Sequence, residues 1–309
     1  MELPPSVGRL SLCKPGEMCY NRNRKGDERM HLSVNPKHFQ KAAVWEADRD
    51  ILEAIDLVAE AGFTRLDFGT EDMVEATRVA EYLAECDLAV NQSHIPYNRY
   101  KKDPFGLFSE RVMATAKCAK ILGSPMLVVH GDEFPFGEMA YSREAAREFN
   151  YRLFFPMVDY ALQNGMRVAF ETVFQDMDPQ KEPRHCSLVE ELCALVDQFG
   201  TPEVGICWDT GHAKVQYGVS QPNVLKIAGK RVISTHIHDN YYGKDLHTFP
   251  FMGDTDWKRL METFGTIGYT GDLTLEMVYD RLPRAIAPDY LRLLHTSGEM
   301  LMGMMKGEA

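Results

Sequence analysis

Eight times along the chain, a short apolar run rich in β-branched residues gives way to a longer stretch of helical spacing. The runs are 31–35, 65–68, 88–92, 125–130, 167–171, 204–209, 232–238 and 272–276. The helical stretches are 49–60, 73–84, 110–121, 143–163, 189–199, 221–228, 256–264 and 289–302; in the first of them Ile51, Ile55 and Val58 recur before Gly62 closes the turn. Consecutive parallel strands need a crossover connection, so this alternation implies a parallel sheet covered by helices. Eight such units are the number that closes a (β/α)8 TIM barrel. The open doubly wound sheet is the alternative, but no GxGxxG follows the first strand. Nothing divides 30–309 internally, so the expectation is one barrel domain over 30–309. Residues 1–29, with Pro4, Pro5, Gly8, Pro15, Gly16 and a charged run from Arg22, read as an irregular N-terminal extension.

At 309 residues the chain is long enough for such a barrel. Its net charge of −11 supplies no overall basic field, which argues against a nucleic-acid partner. No apolar run reaches the length of a membrane span and the N-terminus lacks a signal-peptide pattern, so no membrane partner and a cytoplasmic location are expected. Seven cysteines, an odd number with no CxxC pair, read as reduced thiols rather than disulfides or a structural zinc site. A homo-oligomer is compatible with the chain, with the N-terminal segment and the loop at 95–106 as candidate subunit contacts.

In a barrel of this kind the active site is built at the C-terminal strand ends. Those ends carry Asp67, His94, His130, Glu171, Asp209 with His212, His236 with His238, and Glu276; Asp245 and His247 follow within the loop after strand seven. Each follows an apolar run, where an isolated charge pays a heavy desolvation cost that a shared cation offsets. Imidazole and carboxylate are ligands suited to divalent Zn, Mn or Fe. His236 and His238 share a parity and so face one way on a strand. The plainer readings are that Asp245 and His247 tie down their loop, that His238 only orients a neighbouring carboxylate, and that RYKKD at 99–103 is a solvated loop. Cys207 and Trp208 read as packing residues; His31, His38, His185 and His295 read as structural or surface histidines.

The segments FETVF, CWDTGHA, THIHDN, DLHTFPFMGDTDW and LTLEM, in this order and spacing, resemble the successive motifs of the xylose-isomerase-like barrel superfamily over about residues 30–305. Within it the chain is most similar to the sugar phosphate isomerase/epimerase branch. That resemblance implies a divalent metal (Mn2+, Zn2+, Co2+ or Mg2+) on Glu171, Asp209, His236 and Glu276. It implies isomerase or epimerase chemistry on a sugar, sugar phosphate or cyclitol through an enediolate, with Glu171 and Glu276 as the acid/base pair. His94, His130, His212, His238, Asp245 and His247 would bind substrate or additional metal. The branch usually carries Lys where His238 stands, and its epimerases place an Arg where Tyr241, Tyr242 and Lys244 lie here.

The same superfamily contains endonuclease IV, a trinuclear-zinc phosphoesterase acting on abasic DNA. Its further ligand positions match His94, His130, His212, Asp245 and His247, and Tyr97 resembles a DNA-contacting tyrosine. Its glycine-rich segments are replaced here by ETVFQDMDPQ and DLHTFPFMGDTDW. The pattern Pro250–Phe251–x–Gly253, then Asp256–Trp257, favours the sugar-acting branch. A related lyase or dehydratase and a non-catalytic metal-binding subunit are the remaining alternatives.

Overall fold

The computed structural model describes residues 29–97, 103–176, 178, 181–277 and 281–308. Nearly all of the expected N-terminal extension (1–28) and the basic residues of the 99–103 run therefore lie outside the described residues. The eight strands are β1 (Leu32–Val34), β2 (Arg65–Asp67), β3 (Ala89–His94), β4 (Met126–His130), β5 (Arg167–Glu171), β6 (Val204–Asp209), β7 (Val232–His236) and β8 (Leu273–Leu275). Every strand pair is parallel, and the sheet runs β7-β6-β5-β4-β3-β2-β1-β8. Ile237 closes the ring: it bridges Leu275, donates its N–H to Thr274 O at 2.7 Å and accepts from Glu276 N at 3.1 Å. The (β/α)8 barrel expected from the alternation is thus the fold.

The helices on the outside are α1 (Ile51–Glu60), α2 (Met73–Glu85), α3 (Ser109–Ile121), α4 (Arg143–Gln163), α5 (Val189–Gln198), α6 (Thr210–Tyr217), α7 (Gln221–Ala228), α8 (Trp257–Ile267) and α9 (Ala287–Lys306). Their N-termini are set by short acceptors that take orphan backbone N–H groups: Asp50 for α1, Asp72 for α2, Ser142 for α4 and Asp256 for α8. The main core lies between sheet and helices, with Leu66, Leu127, Phe154, Phe170, Trp208 and Phe264 fully buried. Inside the barrel, Val128, Ala169 and Cys207 form a small apolar plug, which seals the floor beneath the strand ends. Cys86, Cys118, Cys186, Cys193 and Cys207 are free thiols, as expected. Among the described residues no helix is long and apolar enough to cross a membrane.

Most element ends shift by a few residues from the sequence expectation, and three differences bear on the site. Strand seven ends at His236, because Ile237 turns away to pair with β8. Strand three extends to His94. Between β6 and β7 the chain forms two helices where the spacing predicts one: α6 starts directly at the end of β6, capped by Asp209 itself, whose Oδ1 accepts from His212 N at 2.6 Å.

Candidate metal centre

Parallel register does much of the assembly. It sets His130 beside Glu171 on β4 and β5, and Asp209 beside His236 on β6 and β7. Residues paired in register share a face of the sheet, so these four groups converge above the apolar plug. Glu171 is at the centre, 1% exposed. Its Oε2 lies 2.9 Å from His94 Nε2 and 3.2 Å from His130 Nε2; its Oε1 lies 3.2 Å from His212 Nδ1 and 3.3 Å from His236 Nδ1. His236 Nδ1 is also 3.3 Å from Glu276 Oε2 and 3.9 Å from Asp209 Oδ2. Ligand atoms of Glu171, Asp209, His236 and Glu276 all fall within 4.8 Å of one another.

A second set stands beside it. His212 Nε2 is 3.5 Å and His247 Nε2 3.4 Å from Asp245 Oδ2, and these three also fit around one ion. His238 is fully buried, with its Nε2 3.0 Å from Asp209 Oδ1 and its ring stacked on that of His247 at 3.9 Å. The structure therefore gathers all ten site residues named from the sequence at one end of the barrel.

Local chain geometry explains how. The helical turn at Thr210 lifts His212 above Asp209. Gly211 leaves room for His238: a Cβ there would lie 1.8 Å from His238 Cε1. Gly211→Ala is therefore expected to displace His238 from Asp209 and weaken cation affinity by about 10–100-fold, as loss of ligand support does elsewhere; isothermal titration calorimetry with Mn2+ checks it. The β7–α8 loop is held by the Asp239 carboxylate, which accepts from the backbone N–H groups of Asn240, Phe251, Gly253 and Thr255 and from Trp257 Nε1. That loop carries Asp245 and His247, the latter at the left-handed φ of +46°, a conformation non-glycine residues adopt at a cost and often near functional sites.

Burial alone pushes the Glu171 carboxyl up, but the imidazoles of His236, His130 and His212 outweigh it and hold it well below the usual carboxylate range. Asp209 is similarly buried, and His212 and His238 bring it to about 2. Burial lowers His236 and His212, yet the surrounding acidic groups raise both well above the ordinary histidine value. His130 goes the other way, lowered chiefly by burial. Burial also lowers His247, but Asp245 and Glu276 overcome it and raise it from 6.5 to about 9. A raised histidine stabilises the fold fully below its unfolded value and loses that contribution as pH rises through the folded one. In chelator-treated protein the His247 contribution is thus expected in full below about pH 6.5 and gone above about pH 9. Melting temperatures of wild type and His247→Ala across that window, converging at the alkaline end, check it.

These observations fit a cation. His236 Nδ1 and Glu276 Oε2 are buried with no hydrogen-bond partner among the described residues and both face the cluster. The donor set of imidazole and carboxylate is that of divalent first-row ions. Three imidazoles also place their Nδ1 against backbone carbonyls: His94 on Ile95 O (2.7 Å), His212 on Thr172 O (2.9 Å) and His247 on Glu276 O (3.2 Å). A carbonyl only accepts, so it fixes the proton on Nδ1 and leaves Nε2 as the ligand atom.

Sequence reasoning missed several neighbours. His38 has its Nδ1 buried without a hydrogen-bond partner among the described residues and feels the charges of Glu276, Asp67 and His247. Gln92 touches His236. Arg184 pairs with buried Asp132 at 2.5 Å and interacts electrostatically with Glu171 and Tyr97. The signal available for Gln92 was a polar pair, Asn91–Gln92, inside a strand run; the other two sit in turns and loops with no pattern to read.

Residues 55–296 match the sequence profile described as xylose isomerase-like TIM barrel. An uncharacterized protein, y4fM, of Sinorhizobium fredii is 25% identical over 293 residues, covering 82% of this chain and 89% of the relative. Among solved structures, a D-tagatose 3-epimerase-like protein superposes with a TM-score of 0.70 at 18% identity, covering 90% of this chain and 98% of the other. The IolI protein with a bound zinc atom superposes at 0.68 and 15% identity, covering 91% and 99%.

Proposed function

We propose, because this chain belongs to the xylose isomerase-like TIM barrel family, that it is a divalent-cation-dependent isomerase or epimerase of a sugar, sugar phosphate or cyclitol. The observation that carries the reading is the pair Glu171 and Glu276, whose carboxylate oxygens each lie 3.3 Å from the one nitrogen His236 Nδ1. Two carboxylates facing a common point suit removal of a proton beside a carbonyl on one side and its return on the other. The epimerase-like and zinc-bound structures of the same fold support the substrate class and the cation.

Glu171, Asp209, His236 and Glu276 would hold the cation, which when bound acts as a Lewis acid on the carbonyl and its adjacent hydroxyl. Glu276, with 19% of its side chain open, is the group assigned the first proton. The carbon–hydrogen electron pair passes into the enediolate as the proton moves to its carboxylate. Glu171, ringed by His94, His130, His212 and His236, receives a proton from that imidazole shell and delivers it to the opposite face. Return of the proton by Glu276 to the neighbouring carbon gives isomerisation instead. Arg184 and Tyr97, near His130 and Phe174, line the approach for substrate oxygens. The test is incubation with ketoses, inososes and their phosphates in deuterium oxide. For epimerisation, one deuterium per turnover at the carbon next to the carbonyl is expected, and epimerisation with no solvent exchange would overturn the two-carboxylate route.

A second reading has its own observation. The His212–Asp245–His247 set, beside His94–Glu171–His236, gives room for more than one ion. That arrangement suits a polynuclear phosphoesterase, in which clustered cations activate water and stabilise a leaving oxygen. Release of a strand break from abasic DNA, with steep salt dependence, would favour it.

A further inference from the structure

We propose that Gln92 is the positioning residue that decides which nitrogen of His236 offers its lone pair to a cation. The inference rests on the metal-dependent reading above and concerns how one ligand is made ready. Whereas His94, His212 and His247 are fixed by carbonyls that only accept, His236 has no backbone acceptor among the described residues. Its Nδ1 faces Glu171 and Glu276, so Nδ1 is the atom a cation would take. Its Nε2 lies 2.8 Å from the Gln92 carboxamide nitrogen. A carboxamide can donate from one end and accept at the other, so it can support either protonation pattern.

The neighbours define the two arrangements. Ser234, two residues before His236 on β7, donates its hydroxyl to Gln92 Oε1, which turns the NH2 group toward His236. An NH2 group there requires Nε2 to accept, so in the neutral ring the proton sits on Nδ1 and points at the carboxylates. Rotating the carboxamide by half a turn places Oε1 against Nε2 and its NH2 against Ser234 Oγ, which accepts as readily as it donates. The proton then belongs on Nε2 and the Nδ1 lone pair is free. Asp67 supplies a second acceptor for that proton: its Oδ2 is 3.6 Å from Nε2, and its Oδ1 is buried without a hydrogen-bond partner among the described residues. Gln92, Ser234 and Asp67 are all nearly inaccessible, 2%, 4% and 3% exposed, so water does not substitute for them.

The experiment compares Gln92→Leu, Gln92→Glu and wild type, full-length and chelator-treated, titrated with Zn2+ and Mn2+ by calorimetry, with melting temperatures of the cation-free proteins alongside. Gln92→Leu is expected to bind about 10–100-fold more weakly. Gln92→Glu, an acceptor only, is expected to keep wild-type affinity or exceed it. Nitrogen-15 spectra of labelled histidine should show one ring with its proton on Nε2 and none on Nδ1 once Zn2+ is added to wild type. Equal affinities of Gln92→Leu and wild type overturn the assignment, as does equal weakening in both variants together with a lowered melting temperature, which marks plain packing. A wild-type protein that binds neither ion overturns the metal-dependent reading itself and this inference with it.

Discussion

Glu171→Gln is expected to leave the barrel folded and to lower turnover by about a thousandfold or more, the combined scale of a lost acid/base group and an impaired Lewis-acid site. Glutamine is nearly isosteric, so the packing above the Ala169 plug survives. What goes is the charge on which four imidazole nitrogens converge within 3.3 Å. An amide presents one oxygen and one NH2 to partners arranged for two anionic oxygens, so His94 and His130, or His212 and His236, meet a donor. Glu171 also helps raise His94 and His236, so both should titrate lower in the cation-free variant, which histidine NMR reads directly. Cation affinity should fall with the activity. Retention of more than a tenth of wild-type turnover would contradict the role assigned to this carboxylate.

Asp239→Ala is expected to be the most damaging single change to stability outside the apolar core. The carboxylate takes four backbone N–H groups and the Trp257 indole N–H, and all five would lose their acceptor in a buried place. Bonds to a charged acceptor are worth about 1.5–3 kcal/mol each but are not additive, so a total of about 4 kcal/mol is the reasonable scale. That corresponds to a fall in Tm of about 10 °C for a chain of this size. The loop between β7 and α8 should loosen first, taking Asp245 and His247 with it. Activity should therefore fall even at temperatures where the barrel is intact. Asp239→Asn, keeping one acceptor oxygen, should lie between the two. Calorimetry and protease sensitivity near residues 241–254 are the measurements; a Tm within 2 °C of wild type would show that the loop is held by something else.

Asp239 also shows what the sequence could and could not reveal. The pattern Pro250–Phe251–x–Gly253 with Asp256–Trp257 was legible as a motif of the sugar-acting branch. Its physical cause was not: the Phe251 and Gly253 amides and the Trp257 indole converge on one carboxylate 12 to 18 residues earlier. Gly253 is glycine because a Cβ would lie 2.2 Å from Asp239 Oδ1. The barrel itself could be read, since buried parallel strands leave near-continuous apolar runs and their C-terminal ends must carry the polar residues. Helix α6 could not, because its buried residues Thr210, Gly211, His212 and Ala213 are consecutive, a whole buried first turn that gives no apolar period. Asp209 was recognisable as a ligand but not as the cap that starts this helix. His236 and His238 share their facing as parity requires, yet only His236 belongs to the strand, and the turn of Ile237 toward β8 sends His238 to Asp209 instead of Glu171. Gln92 and His38 lay beyond reach because their importance comes from elements brought together only by closure of the barrel.

The most direct test of the account is the cation content of protein purified without chelator or added metal, measured by elemental analysis for wild type and Glu276→Ala. About one divalent ion per chain is expected, lost in the variant because one of four converging ligands is removed from a site of this chemistry. No stoichiometric cation in wild type, or full retention in Glu276→Ala, would contradict it.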